Sequence, residues 1–178
     1  EKTMTDLDPR GQRRRRTLQA VAALGAIGAL GLTGCSGRDE APSSTFVLLD
    51  GSQATTADLK GKVTLVNFWA TTCVTCVKEM PSIVATYQKY KEQGFETVAV
   101  AMEYDPPAWV LNFAQSRQLP FKVALDNTGN IAQQWGDVKL TPTTYLVDKQ
   151  GRIVKRYVGE PDFPALHALI EKLLAQQA

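Results

Sequence analysis

Cys73-Val74-Thr75-Cys76 is the stretch of this 178-residue chain whose residue types and spacing could do chemistry. Two cysteines separated by two residues in the first turn of a helix bring their sulfurs within bonding distance. A helix N-terminus carries unpaired N–H groups and partial positive charge. That field stabilises a thiolate and draws its pKa from about 8.5 into the roughly 3.5–7.5 range of such sites. Cys73 is therefore the candidate attacking thiolate and Cys76, one turn deeper, the candidate resolving thiol of a thiol–disulfide exchange.

The flanking residues must supply that helix start. Val63 to Trp69 is an apolar, β-branched run that reads as a buried strand. It breaks at Ala70-Thr71-Thr72, and a helix is expected from Cys73 to about Lys91. Its apolar face is Ile83, Val84, Tyr87 and Tyr90, Gly94 ends it, and Pro81 inside it should kink it. Further strands are expected at Phe46–Leu49, Phe95–Met102, Phe121–Leu125, Thr143–Val147 and Arg152–Val158. The last two are joined by the turn Asp148-Lys149-Gln150-Gly151. Helical segments are expected from Pro106 to Arg117, from Asn130 to Trp135, and from Pro161 to Gln176, with one turn at Thr56–Leu59. This order predicts an α/β domain with a mixed central sheet flanked by helices.

Phe68-Trp69-Ala70-x-x-Cys73-x-x-Cys76 followed by Lys78-Glu79-Met80-Pro81 resembles the thioredoxin superfamily, and within it the membrane-tethered TlpA/ResA group, over about residues 46–178. The resemblance implies a thioredoxin-like fold with a central insertion, here about residues 103–135. It implies a cis Pro142 lying against the disulfide, with Thr141 offering its backbone to an extended substrate. Asn67 stands where thioredoxin carries a buried, proton-relaying carboxylate, and asparagine cannot titrate. In the TlpA/ResA group an acid from the insertion serves instead, which makes Glu103 or Asp105 the candidate relay; the other reading of both is a solvated loop acid. Thr72 replaces the tryptophan usual before the first cysteine, and Thr75 the proline usual before the second. The first change removes a flat apolar contact surface, and the Val74-Thr75 dipeptide should retune the redox potential. Trp69, Trp109 and Trp135 are expected in or near the core, with Trp69 also bordering the site.

Residues 1–35 read as an address. Arg10 and Arg13 to Arg16 form a basic block, and Thr17 to Leu32 is an apolar, glycine- and alanine-rich run. It ends in Leu32-Thr33-Gly34-Cys35, which resembles a bacterial lipobox with Cys35 as the lipidated residue. Residues 36–45 are almost devoid of apolar side chains and read as a flexible tether. The remaining domain, 46–178, has ordinary globular content for a chain that is 44% hydrophobic and 21% charged. A net charge of +2 without a basic stripe gives no support for nucleic-acid binding. With Cys35 assigned to lipid and two cysteines in the motif, none remains for a zinc site, and a metal role for His167 is disfavoured.

The expectation is an extracytoplasmic, lipid-anchored, monomeric thiol–disulfide oxidoreductase with no cofactor beyond its own dithiol. By resemblance it acts as a reductase of exported protein disulfides, among them apocytochrome c, recharged by a membrane thiol donor. The alternatives are a disulfide-donating oxidant, a thiol peroxidase and a metal-delivery protein. The peroxidase would need threonine at position 70 and proline at 66, where Ala70 and Val66 stand. Metal delivery would need one more residue between the cysteines. A structural disulfide on a binding module is the non-enzymatic alternative.

Overall fold

The computed structural model describes residues 39–177. The basic and apolar leader and Cys35 lie outside them.

The strands are β1 (Thr45–Leu48), β2 (Gln53–Thr55), β3 (Val63–Trp69), β4 (Phe95–Ala101), β5 (Lys122–Leu125), β6 (Thr143–Val147) and β7 (Ile153–Val158). The helices are α1 (Val74–Tyr90), α2 (Pro107–Ser116), α3 (Asn130–Gln134) and α4 (Phe163–Leu174), with a 3₁₀ turn at Thr56–Leu59. All strands join one sheet in the order β2-β1-β5-β4-β3-β6-β7. β3, β4 and β5 run parallel, while β6, β7, β1 and β2 are antiparallel to their neighbours. The mixed sheet flanked by helices is thus the expected one.

β3 lies near the centre, and all of its residues are buried. Its side chains alternate between two cores, as the period of a strand requires. Val63, Leu65 and Trp69 face the core built by α1, α2 and α4. Val66 and Phe68 face a second core with Ile131, Trp135 and Tyr145. Asn67 falls on the first of these faces, toward α1.

Two expectations need correction, and one strand was not foreseen. Residues 39–44 are not a free tether. The backbone of Glu40 forms an isolated antiparallel β-bridge with that of Arg152: the Ala41 N–H donates to the Gly151 carbonyl (2.8 Å), and the Ile153 N–H to that of Asp39 (2.8 Å). Buried Ser44 accepts from Trp135 Nε1 at 3.1 Å. These residues are polar because hydrogen bonds, not apolar burial, hold them. The short β2 lacked an apolar pattern and exists through its pairing with β1. Trp109 is not in the core: it is 57% exposed, whereas Trp69 and Trp135 are buried.

α1 runs unbroken through Pro81. The loops after β3, β4 and β5, and the segment entering β6, all gather at the carboxyl end of the parallel strands, where open α/β sheets place their sites.

Candidate active site

Cys73 is the N-cap of α1, and its Sγ accepts the Cys76 backbone N–H at 3.2 Å. The β3–α1 turn closes through the Cys73 N–H to the Ala70 carbonyl at 3.1 Å. Cys73 and Cys76 are joined as a disulfide, S–S 2.14 Å with Cα atoms 5.2 Å apart. Their exposure differs: Cys73 is half-buried, Cys76 fully buried. Thr72 and Thr75 are exposed, as is Val74, at 83%. An incoming disulfide therefore meets Cys73. Once reduced, that sulfur is the one that a helix N–H and the helix dipole stabilise as an anion.

Register brings the next group in. Antiparallel pairing sets Thr143 opposite Phe68, so the start of β6 lies at the same sheet end as the cysteine loop. The Thr141–Pro142 peptide is cis, Pro142 is buried, and the Thr141 hydroxyl lies 3.3 Å from that of Tyr104. Trp69 is buried beneath the loop with its ring 5.1 Å from that of Phe113.

The two acids expected in the insertion occupy different places. Glu103 is exposed, and its carboxylate lies against Gly129, in a cavity lined by Tyr104, Lys139 and their neighbours but by neither cysteine. Asp105 is buried, and its oxygens accept the Thr71 N–H and the Thr71 hydroxyl, both at 2.6 Å. It thus ties the β4–α2 loop to the residue two before Cys73. His167 sits between α1 and α4, its Nε2 2.8 Å from the Thr86 hydroxyl and its ring against Tyr90.

One buried acid near the pair was given no role from the sequence. Glu79, one turn beyond Cys76, is completely buried on the face of α1 that also holds Cys76, Met80 and Ile83. Asn67 Nδ2 donates to its Oε1 (3.1 Å) and to Thr144 Oγ1 (2.9 Å), Thr144 being the register partner of Asn67. Glu79 Oε2 has no partner among the described residues. Burial pushes the Glu79 carboxyl up to about 7; the Asn67 hydrogen bond opposes this, and the charge of Glu160 adds to it. The signal was present in the sequence: a carboxylate three residues from Cys76 and four from Ile83 falls on the buried stripe.

The model of one protein family, Redoxin, matches residues 37–170. The chain belongs to the Redoxin family. It is 37% identical to the thiol-disulfide oxidoreductase ResA of Bacillus thuringiensis subsp. konkukian (strain 97-27) over 134 residues, covering 75% of this chain and 76% of that protein. To ResA of Bacillus subtilis (strain 168) it is 35% identical over 128 residues, 72% of this chain and 70% of that one. Among solved structures it is similar to a thiol:disulfide interchange protein of the thioredoxin family from Chlorobium tepidum TLS. That match has a TM-score of 0.72 at 25% identity and covers 79% of this chain and 99% of the other. The fold is thioredoxin-like, and this Redoxin-family protein is a ResA-like thiol–disulfide oxidoreductase whose redox-active group is the Cys73–Cys76 pair.

Proposed function

We propose that the protein is an exported, lipid-anchored reductase of protein disulfides. The Cys73 thiolate attacks one sulfur of a substrate disulfide, forming a mixed disulfide and releasing the other sulfur as a thiol. Cys76, as thiolate, attacks Cys73 Sγ and releases the second substrate thiol. Two electrons pass from the dithiol to the substrate, and the Cys73–Cys76 disulfide remains to be reduced by a membrane dithiol donor.

The observation that carries this reading is the asymmetry of the pair. The Cys73 sulfur lies at the helix end with a backbone donor on it, while Cys76 is enclosed and touched only from within. Resolution by Cys76 requires removal of a proton from a buried thiol. Glu79 lies one turn away on the same buried face, with a carboxyl poised near neutrality, which suits a general base at physiological pH.

Export, lipidation at Cys35 and periplasmic residence are supported by the basic block, the apolar run and the Leu32-Thr33-Gly34-Cys35 tetrapeptide. From the resemblance of the motif residues to the TlpA/ResA group we further propose exported polypeptides, apocytochrome c cysteines among them, as substrates, a membrane thiol protein as donor, and action as a monomer. The deciding experiment is equilibration of the Cys73–Cys76 couple in dithiothreitol and glutathione buffers. A potential near or below about −270 mV is expected; one near −120 mV would make the protein an oxidant. Cys76→Ser should accumulate the mixed disulfide on Cys73, and its failure to do so would reverse the roles of the two sulfurs.

A further inference from the structure

Thr72 leaves the active site without the aromatic side chain that commonly precedes the first cysteine, yet an exposed tryptophan stands next to it. Trp109, on the first turn of α2, lines a cavity of about 360 Å³ together with Thr71, Thr72, Asn112 and Arg117. Phe113 and Arg117 also wall a second hollow of about 250 Å³, whose other sides include Val77, Met80, Pro81 and Val84 of α1. The two hollows share Phe113 and Arg117 as walls and together make a groove between α1 and α2, whose outer end is lined by Thr71 and Thr72, just before Cys73 in the chain. From Val77 to Val84 it extends roughly 10 Å along the helix, room for about three residues of extended chain.

The walls of the inner hollow are apolar apart from Arg117. The Arg117 guanidinium lies over the Phe113 ring, 5.7 Å from its centroid, and makes no ion pair among the described residues. A stacked, unpaired guanidinium presents a fork of donors that fits a carboxylate. Of the exposed large apolar side chains, Val74, Tyr104, Trp109 and Leu140 all lie on the loops and helix starts around the cysteines. Exposed apolar side chains gathered at one end of the sheet suit contact with another chain.

The geometry points to the α1–α2 groove as the binding site for the extended polypeptide flanking a substrate cysteine. Trp109 contacts the residues nearest that cysteine, an apolar side chain enters the hollow at Met80 and Val84, and a carboxylate meets Arg117. This rests on the disulfide-reductase reading above and adds the sequence preference of its substrate. The outer hollow is lined by Thr72, the residue next to Cys73, so a chain whose disulfide is attacked at Cys73 has the groove as an adjoining path.

The test uses the reduced full-length protein in detergent and single-turnover kinetics. Two short peptides carry one cysteine each as a mixed disulfide with 2-mercaptoethanol. One has leucine and glutamate on both sides of the cysteine, the other serine and lysine. Every rate is divided by the same variant's rate with bis(2-hydroxyethyl) disulfide. Wild type should favour the leucine/glutamate peptide about tenfold, Trp109→Ala should cut the preference to within about twofold, and Arg117→Glu should invert it. Equal rates for the two peptides in wild type, or a preference that survives both substitutions, would overturn the groove assignment while the redox reading stood. A selective gain with oxidised glutathione, lost in Arg117→Glu, without discrimination between the peptides, would assign Arg117 to a small acidic disulfide and likewise overturn it. Failure of the reduced wild type to react with any disulfide would instead remove the reductase reading itself.

Discussion

Asn67 on the central strand donates a hydrogen bond to Glu79 on the active-site helix, Nδ2 to Oε1, at 3.1 Å. The pair links the middle of the sheet to the turn that follows Cys76. It also explains how this site keeps a titratable acid in its core while position 67 holds an amide.

Glu79 should make the domain's stability depend on pH. Its carboxyl stands at about 7 in the fold against an ordinary 4.5. A raised carboxyl pKa favours the protonated fold, so stability is undiminished below about 4.5 and falls as pH rises to about 7. The full penalty, roughly 3 kcal/mol, is present above that. Glu79→Gln keeps an acceptor for Asn67 and cannot ionise. Urea unfolding of the oxidised protein should therefore show the variant and wild type alike near pH 4 and the variant clearly more stable at pH 8.

The same substitution should slow resolution of the mixed disulfide. In wild type the rate should rise through a pH midpoint near 7, and in Glu79→Gln that step should disappear with a loss of about 10²-fold at neutral pH. Stopped-flow following a Cys73-linked chromophoric thiol would read both.

Asn67→Ala removes the donor that holds the Glu79 carboxyl down, leaving burial unopposed by it. The midpoint of the resolution rate should move upward from 7. A downward movement would mean that Asn67 does not set it.

Asp105 and Thr71 should be energetically coupled. Asp105→Ala strands the Thr71 N–H and hydroxyl, and a cost of about 2–3 kcal/mol is expected; Thr71→Val loses only the hydroxyl bond and should cost about 1. A double-mutant cycle by denaturant unfolding should return a coupling of about 1 kcal/mol.

The segment before β1 should be part of the folded unit. A truncation that begins at Thr45 removes the backbone bonds of Asp39 and Ala41 and the Ser44 partner of Trp135, and should lower stability by about 2–3 kcal/mol. A form beginning at Asp39 keeps these bonds and is the reference. Thermal unfolding of the two forms distinguishes them.

Local chemistry alone was enough for much of this protein. The unbroken apolar run of β3, the Cys-x-x-Cys spacing and the turn signal at Asp148–Gly151 each act over a few neighbouring residues, so strand, helix start and hairpin could all be read in one dimension. The redox pair and the expected sheet followed from these. What depended on distance along the chain could not be read that way. Glu79 becomes a buried, titratable acid because the fold sets its carboxyl against Asn67, itself held by Thr144, 77 positions away in sequence, across β3 and β6. Trp109 looks like a core residue by type, but the packing of α2 leaves its ring outside, beside Thr72. Asp105 had the right type for a proton relay, and the fold put Thr71 on both of its oxygens. A side chain's type limits what it can do; which groups desolvate it or pair with it is decided when the strands register and the helices pack.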